Sequence, residues 1–495
     1  MQTDGWTCLL VTLVRRLMMA LTVVAMVPAA RAAGVPSSPY LGYIYKYADA
    51  MLEKGRDTYG PTKSMMFLSA LDRTTMAPLT TRPAAPGGIR REDRVGQPWS
   101  ELVGANPQLD QNFLRLLYVL RGLSSQEKYA AAADAELKFF LENAASPETR
   151  LLAWGEHMFW NVMTDEPNPK EGAVHEFSRP WLLWDRCFEL APEASKRFAL
   201  GLWEHQIANQ KTGAYDRHAA YWKHGAKDGM DFARHGGFYI RTWAGAYAHT
   251  GDEVFLKAID AVLARFEKKR DVKTGMIEGR QSDKNFWPQL SLAIDCDGAS
   301  RIVPEPLGSR LRQFAAREDE IFVSLPHDLE GRQGFVTMID KATGKPTEEG
   351  YTSRWDARYG AGTTAQVGMM CVSRFENMAR PGYAELIAAA ADVYLKALPG
   401  EDVDAWPMTF GHAISLELAA WRGTSRREYL DRARELGLIA IEAFFQDNPL
   451  PRASLKTGHF ESITGADTLA LALVELHLHS LHITAVRTPD NTIDR

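Results

Sequence analysis

The sequence predicts an all-α protein folded as an α/α toroid, an incomplete barrel of about seven helical hairpins with a small β-hairpin element. Three observations carry that expectation. Apolar residues recur at three- and four-residue steps along most of the chain, the period of a helix that buries one face. The segments between these runs hold Gly, Pro or Asp, which cap and stop helices. No strict repeat of a known helical-repeat type is present, which favours a closed ring over an open solenoid.

Tyr40 to Arg56, Phe113 to Leu123, Tyr129 to Leu141 and Leu151 to Met163 all show the helical period. Trp181 to Leu190 and Ser195 to Ile207 continue it, and Gly237 to His249 pairs with Glu253 to Phe266 around the turn T-G-D. Two later pairs follow, Thr364 to Met378 with Tyr383 to Leu395, and Ala413 to Trp421 with Arg427 to Phe445. Ala466 to His479 closes a series of about fourteen expected helices. Two stretches break the rhythm. Thr74 to Gln111 is rich in Pro and Gly and contains Arg82, Arg90, Arg91 and Arg94; loops this long inside a domain are usually functional or disordered. Ile321 to Pro346 reads as β-structure, with F-V-S-L, a G-R-Q-G turn and F-V-T-M-I, a hairpin suited to walling a cleft.

With 495 residues, 24% of them charged, and a net charge of −5, the chain can bury a large core and lacks the composition of a disordered protein. The mild acidity argues against a general nucleic-acid binder, whose basic footprint would show in the total. Arg15 and Arg16 precede the apolar run Leu17 to Val27, and Ala30 and Ala32 give the small-x-small spacing of a cleavage site. Residues 1–33 are therefore expected to be a signal peptide and 34–495 a single catalytic domain. Periplasmic or secreted localisation follows, with no stable membrane span once the signal is removed. Cys8 would leave with the signal, and three scattered cysteines make no disulfide framework.

The chemistry concentrates between Trp154 and Arg241, in W-G-E-H-M-F-W, V-H-E-F, A-Y-D-R-H and F-A-R-H-G-G-F-Y-I-R. His157, His175, Glu176, Arg217 and His218 lie among aromatic residues there. Imidazole nitrogens and a carboxylate oxygen suit a divalent transition metal. Guanidinium groups match carboxylates in two-point contacts, which makes Arg234 and Arg241 candidates for binding an acidic sugar. A single His on an apolar helix is ordinarily a core residue. The D-R-H triplet is different, because it follows the turn signal K-T-G-A-Y, where functional residues gather. His175 and Glu176 are neighbours, and on a helix they would point about 100° apart, so only one would face a shared site.

His157, the H-E pair at 175–176 and the R-H pair at 217–218 resemble the metal and catalytic motif of polysaccharide lyase family 2, the pectate lyases with an (α/α)7 barrel. The resemblance implies that His157, Glu176 and His218 hold a divalent cation, most often Mn2+, and that Arg217 is the catalytic base. It selects Glu176 over His175. The activity it implies is β-elimination of polygalacturonate or oligogalacturonate, in which a cation neutralises the uronate carboxylate and a base removes the C5 proton. Two other readings stand beside it. A toroid glycoside hydrolase or epimerase acting on uronic-acid sugars would need a carboxylate pair, for which Asp216, Asp228 and Asp231 are candidates. A non-catalytic oligosaccharide-binding protein would bind without turnover.

Overall fold

The computed structural model describes residues 38–90, 94–95, 102–278, 283–332, 334–358, 362–378, 380–446, 448–483 and 486–493. The expected signal peptide and Arg91 lie outside the described residues. Residues 38–495 form one compact unit. The α-helices are α1 Pro39–Glu53, α2 Pro107–Ser124, α3 Glu127–Asn143, α4 Trp184–Leu190, α5 Pro192–Gly201, α6 Ala233–Thr250 and α7 Glu253–Lys268. They continue with α8 Leu290–Ser300, α9 Leu307–Ser324, α10 Thr364–Met378, α11 Tyr383–Asp392, α12 Pro407–Thr424, α13 Arg427–Ala440 and α14 Ala466–Ser480.

The even-numbered helices form an inner ring. α4 packs on α6, α6 on α8, α8 on α10, α10 on α12 and α12 on α14, and α14 returns to α2. Each odd-numbered helix covers an inner one from outside: α3 on α2, α5 on α4, α7 on α6, α9 on α8, α11 on α10, α13 on α12, and α1 on α14. This is the expected α/α toroid of seven helical pairs. Between α2 and α4 the ring is completed by an irregular segment whose Pro180 carbonyl accepts from Gln111 Nε2 at 2.7 Å.

Burial follows from this layering. Outer α7 buries Phe255, Ala258, Ile259, Val262, Leu263 and Phe266, a single stripe at helical spacing. Inner α12 buries every residue from Pro407 to Leu418, and α14 every residue from Ala466 to Val474. Several helices start on proline at the first helical position, where a missing N–H costs nothing: Pro39, Pro107 and Pro407. Asn106 caps α2 by accepting from Gln108 N at 3.2 Å.

Two expectations are corrected. Leu151 to Met163 is no helix but a turn followed by the strand Phe159–Asn161, which pairs with Gly104–Ala105 and Glu166–Asn168. Its aromatic spacing reflects burial, and Gly155 at φ +90° interrupts any helix there. The apolar run Ile321 to Ser324 is the last turn of α9, not a strand. Beyond it, Ile339–Asp340 pairs antiparallel with the distant Asn285–Phe286. Among the described residues, single bridges such as Asp328 with Gly334 make the local hairpin. No helix of the described residues is long and apolar enough to cross a membrane.

Candidate functional site

Three short segments beside the N-terminus of α6 carry the site. The first is the turn Trp154–Met158. Asn106 Nδ2, at the start of α2, donates to the carbonyls of Gly155 (2.7 Å) and Met158 (3.3 Å), which holds the turn to the ring. Gly155 is obligatory here. Besides its left-handed φ, a Cβ on it would lie 1.8 Å from the Glu176 carbonyl oxygen. Glu156 and His157 project from this turn.

The second segment is the strand Val174–His175, paired antiparallel with Ala219–Ala220 in the register His175 with Ala219. Extended backbone sends successive side chains to opposite faces, so His175 and Glu176 separate more completely than on a helix. His175 turns into the core. Trp154 Nε1 donates to its Nε2 at 3.1 Å, which makes Nε2 an acceptor. Nδ1 then carries the proton toward Gln206 Oε1 at 2.8 Å. Gln206 Nε2 donates in turn to the carbonyls of Asp216 (2.8 Å) and Arg217 (3.0 Å). Burial lowers His175 to about 4, so the ring is neutral. Both its nitrogens are engaged, and it acts as a brace for the third segment.

That third segment is the turn Asp216–His218. Asp216 Oδ1 accepts from His218 N at 2.9 Å and Oδ2 from Met230 N at 3.0 Å. The Arg217 N–H donates to the Met230 carbonyl at 2.9 Å. The backbone is thereby fixed so that Arg217 and His218 both reach Glu176.

Glu176 is fully buried and lies at the centre. Its Oε2 is 3.1 Å from His157 Nε2 and 3.1 Å from His218 Nε2, and these two nitrogens are 3.3 Å apart. Its Oε1 is 2.5 Å from Arg217 Nη1 and 3.1 Å from His235 Nε2. Burial alone would raise the Glu176 carboxyl, but the hydrogen bonds from His157, His218 and His235 hold it well below its usual value. Burial opposes charge on His157 too, yet its bond to Glu176 prevails and raises it. Burial pushes His235 down to about 4, against the pull of Glu176.

His157, Glu176 and His218 form a group of metal-ligand type among the described residues. Ligands about 2.1 Å from a common ion stand roughly 3.0–3.4 Å from one another in octahedral or tetrahedral arrangements. The three edges of 3.1, 3.1 and 3.3 Å fit that requirement. The donor set, two imidazoles and a carboxylate, fits a divalent transition ion and leaves positions for substrate or water.

Beside this group opens a cleft of about 520 Å³ lined by Arg90, Glu156, Arg217, Phe232, Arg234 and Trp287, with Val336 and Thr337 from the segment after α9 on its wall. The Arg217 guanidinium lies over the Phe232 ring at 4.7 Å and 3.5 Å from Glu156. Arg234 thus reaches the cleft, at the start of α6. Arg241 does not line it: two turns further along α6, it lies in the space left by Gly298 of α8.

Asp216 is committed to backbone donors, while Asp231 is paired with Arg265 and Lys269, and Asp228 with Arg265. None of these three carboxylates lines the cleft. Sequence reasoning gave no role to Glu156 or His235, and placed Arg90 in the long loop without linking it to the site. The only hint of His235 was the R-H pair at 234–235, which repeats the R-H pair at 217–218.

Fold and site together define an α/α toroid with a His–Glu–His group at the edge of an arginine-lined cleft. Residues 96–236, which include every member of that group, match the family of the periplasmic pectate lyases, as the motif resemblance implied. The chain is also similar to the pectate disaccharide-lyase of Dickeya dadantii (strain 3937), at 25% identity over 185 residues, 37% of this chain and 34% of that protein. The match thus spans about a third of the curated relative. Similar solved structures include cellobiose 2-epimerase from Bacillus thermoamylovorans B4167, with TM-score 0.48 and 8% identity over 88% of this chain and 99% of that one. Another is an unsaturated glucuronyl hydrolase specific for heparin, with TM-score 0.44 and 11% identity over 89% and 98%.

Proposed function

We propose that this protein is an exported pectate lyase that cleaves polygalacturonate or oligogalacturonate by metal-assisted β-elimination. The observation that carries the proposal is the triangle of His157, Glu176 and His218 beside Arg217 at the edge of an arginine-lined cleft. His157 Nε2, His218 Nε2 and Glu176 Oε2 would hold the ion, for which Mn2+ is our assignment. When bound, such an ion supplies Lewis-acid stabilisation of the charge that develops on the uronate carboxylate.

The chain's own residues do the rest. Arg217 is assigned the base role at C5. Guanidinium is ordinarily charged. Arg234 is assigned to substrate carboxylates and Trp287 to the face of a sugar ring. Arg241, once a candidate for the same work, is assigned none because it lies outside the cleft lining.

The test is ultraviolet-monitored digestion of polygalacturonate with Mn2+ or with chelator. Unsaturated, ultraviolet-absorbing ends that disappear with chelator are expected. New reducing ends without ultraviolet absorbance would instead establish a hydrolase, and binding without turnover an oligosaccharide-binding protein. Arg217→Ala should retain metal and substrate yet lose about 10²–10⁴-fold in turnover, and Arg217→Lys should fail comparably because an ammonium cannot copy the planar group. Lost affinity with turnover intact at saturation would move the base elsewhere and leave Arg217 as a clamp.

A further inference from the structure

Arg90 belongs to the long loop before α2, far in sequence from the segments that build the site. Its Nη2 is 2.7 Å from Glu156 Oε1. The pair is asymmetric, since the Glu156 side chain is 4% exposed and that of Arg90 is 63% exposed. A buried carboxylate thus aims a largely solvent-facing guanidinium into the cleft. The other oxygen of Glu156 lies 3.5 Å from Arg217 Nη1, so one carboxylate stands between two arginines of the same cleft.

The chain leading to Arg90 is held three residues before it, where Gly87 N donates to Asp404 Oδ2 at 2.7 Å and the Gly87 carbonyl accepts from Trp406 Nε1 at 2.8 Å. Gly87 fixes this stretch to the start of α12, and Glu156 fixes the head group of Arg90. A guanidinium held in this way has lost much of its side-chain freedom before any ligand arrives, which favours specific recognition.

We propose that Arg90, positioned by Glu156, is a specificity-determining residue that reads the carboxylate of a sugar unit neighbouring the one that reacts. This rests on the lyase reading for the nature of the substrate, a linear chain with an anionic group on each unit. Arg217, at the cluster, serves the reacting unit. Arg90, on the far side of Glu156, serves the next. Methyl esterification removes the negative charge and the pair of equivalent acceptor oxygens, so at this neighbouring unit the discrimination between acid and ester resides in Arg90.

The experiment compares wild type, Arg90→Ala and Arg90→Lys on polygalacturonate and on its methyl-esterified form, with KM and kcat measured separately. For Arg90→Ala, kcat/KM on the acid polymer should fall about 10–100-fold, the worth of a charge-assisted hydrogen bond. The fall should lie mainly in KM. The ester should suffer far less, so the acid-to-ester preference collapses, and Arg90→Lys should restore part of it. Equal losses on both substrates, a loss confined to kcat, or no loss at all would overturn the inference. A wild type that cleaves neither polymer defeats the lyase reading instead. Arg90 is then judged by equilibrium binding of acid and ester oligogalacturonates, followed through tryptophan fluorescence. Selective loss of acid binding in Arg90→Ala sustains the proposal, and unchanged selectivity ends it.

Discussion

Replacing Glu176 by glutamine keeps the shape of the side chain and removes its charge. The carboxylate is wholly buried and receives three imidazoles at 3.1 Å and one guanidinium at 2.5 Å. Removing one partner of a buried pair costs about 3–5 kcal/mol. Arg217 is 17% exposed and keeps Glu156 at 3.5 Å, which places the cost near the lower end. A domain with about 5–15 kcal/mol of stability survives that. The metal affinity should not survive, because the amide offers no charge to the ion. Losing a group that merely orients a metal ligand already costs about 10–100-fold, so the loss here should exceed 100-fold. Calorimetric titration of metal-free protein with Mn2+ measures it, alongside thermal unfolding in chelator. His175→Ala supplies the contrast. It strands Trp154 Nε1 and Gln206, costs about 1–3 kcal/mol for each unpaired group, and, because His175 only braces the Asp216–His218 turn, should weaken metal binding far less than Glu176→Gln does. Wild-type affinity in Glu176→Gln, or loss of metal in His175→Ala alone, would refute the assignment.

Three further substitutions probe the frame. Gly155→Ala brings a Cβ to 1.8 Å from the Glu176 carbonyl at φ +90° and should cost at least about 2 kcal/mol while weakening metal binding, and a variant unchanged in both melting temperature and affinity would contradict this. Arg94→Ala leaves Glu461 buried beside His459 and frees the Pro83 carbonyl, so a loss of about 3–5 kcal/mol and faster proteolysis within 77–90 are expected; equal cleavage rates would count against the anchoring role. Glu417 is buried with neither carboxyl oxygen hydrogen-bonded, and burial, opposed by Arg432, raises it to about 9. A carboxyl raised on folding is most favourable below its unfolded value of 4.5, and that advantage is lost as pH rises toward 9. Glu417→Gln should therefore raise stability and the melting temperature at pH 8, by at most about 5 kcal/mol, and change little at pH 4.5. A gain independent of pH would refute the cause.

How much of this was legible depended on which face an element shows to water. The stripe of α7 announces itself because its other face is solvated. α8 escaped notice because Leu290, Leu292, Ala293, Asp295, Cys296 and Asp297 are all buried, so apolar and polar residues carry no period. The end of α9 passed for a strand because Ile321, Phe322 and Val323 are β-formers placed there by packing. In the site, His157, Glu176, Arg217 and His218 were singled out because their order along the chain resembles a known motif, and the fold brings them together. Glu156 and Arg90 had no such signal. Their meeting depends on the stretch before Arg90 being tied down at Gly87 by Asp404 and Trp406, residues more than three hundred positions away.

The ring is sealed by its two ends. Ala70–Leu71 pairs with Phe460–Glu461, α1 and α2 pack on α14, and Asn112 Nδ2 holds the Asn491 carbonyl at 3.0 Å. During synthesis at about 5–20 residues per second, the apolar edge of α2 therefore waits tens of seconds for its last neighbour. Contacts this distant in sequence make closure a late and slow event. Until then the nascent chain is an open arc with two adhesive rims, and any truncation before Ala466 would make that arc permanent. The first helices of the ring to be made are the last to be completed.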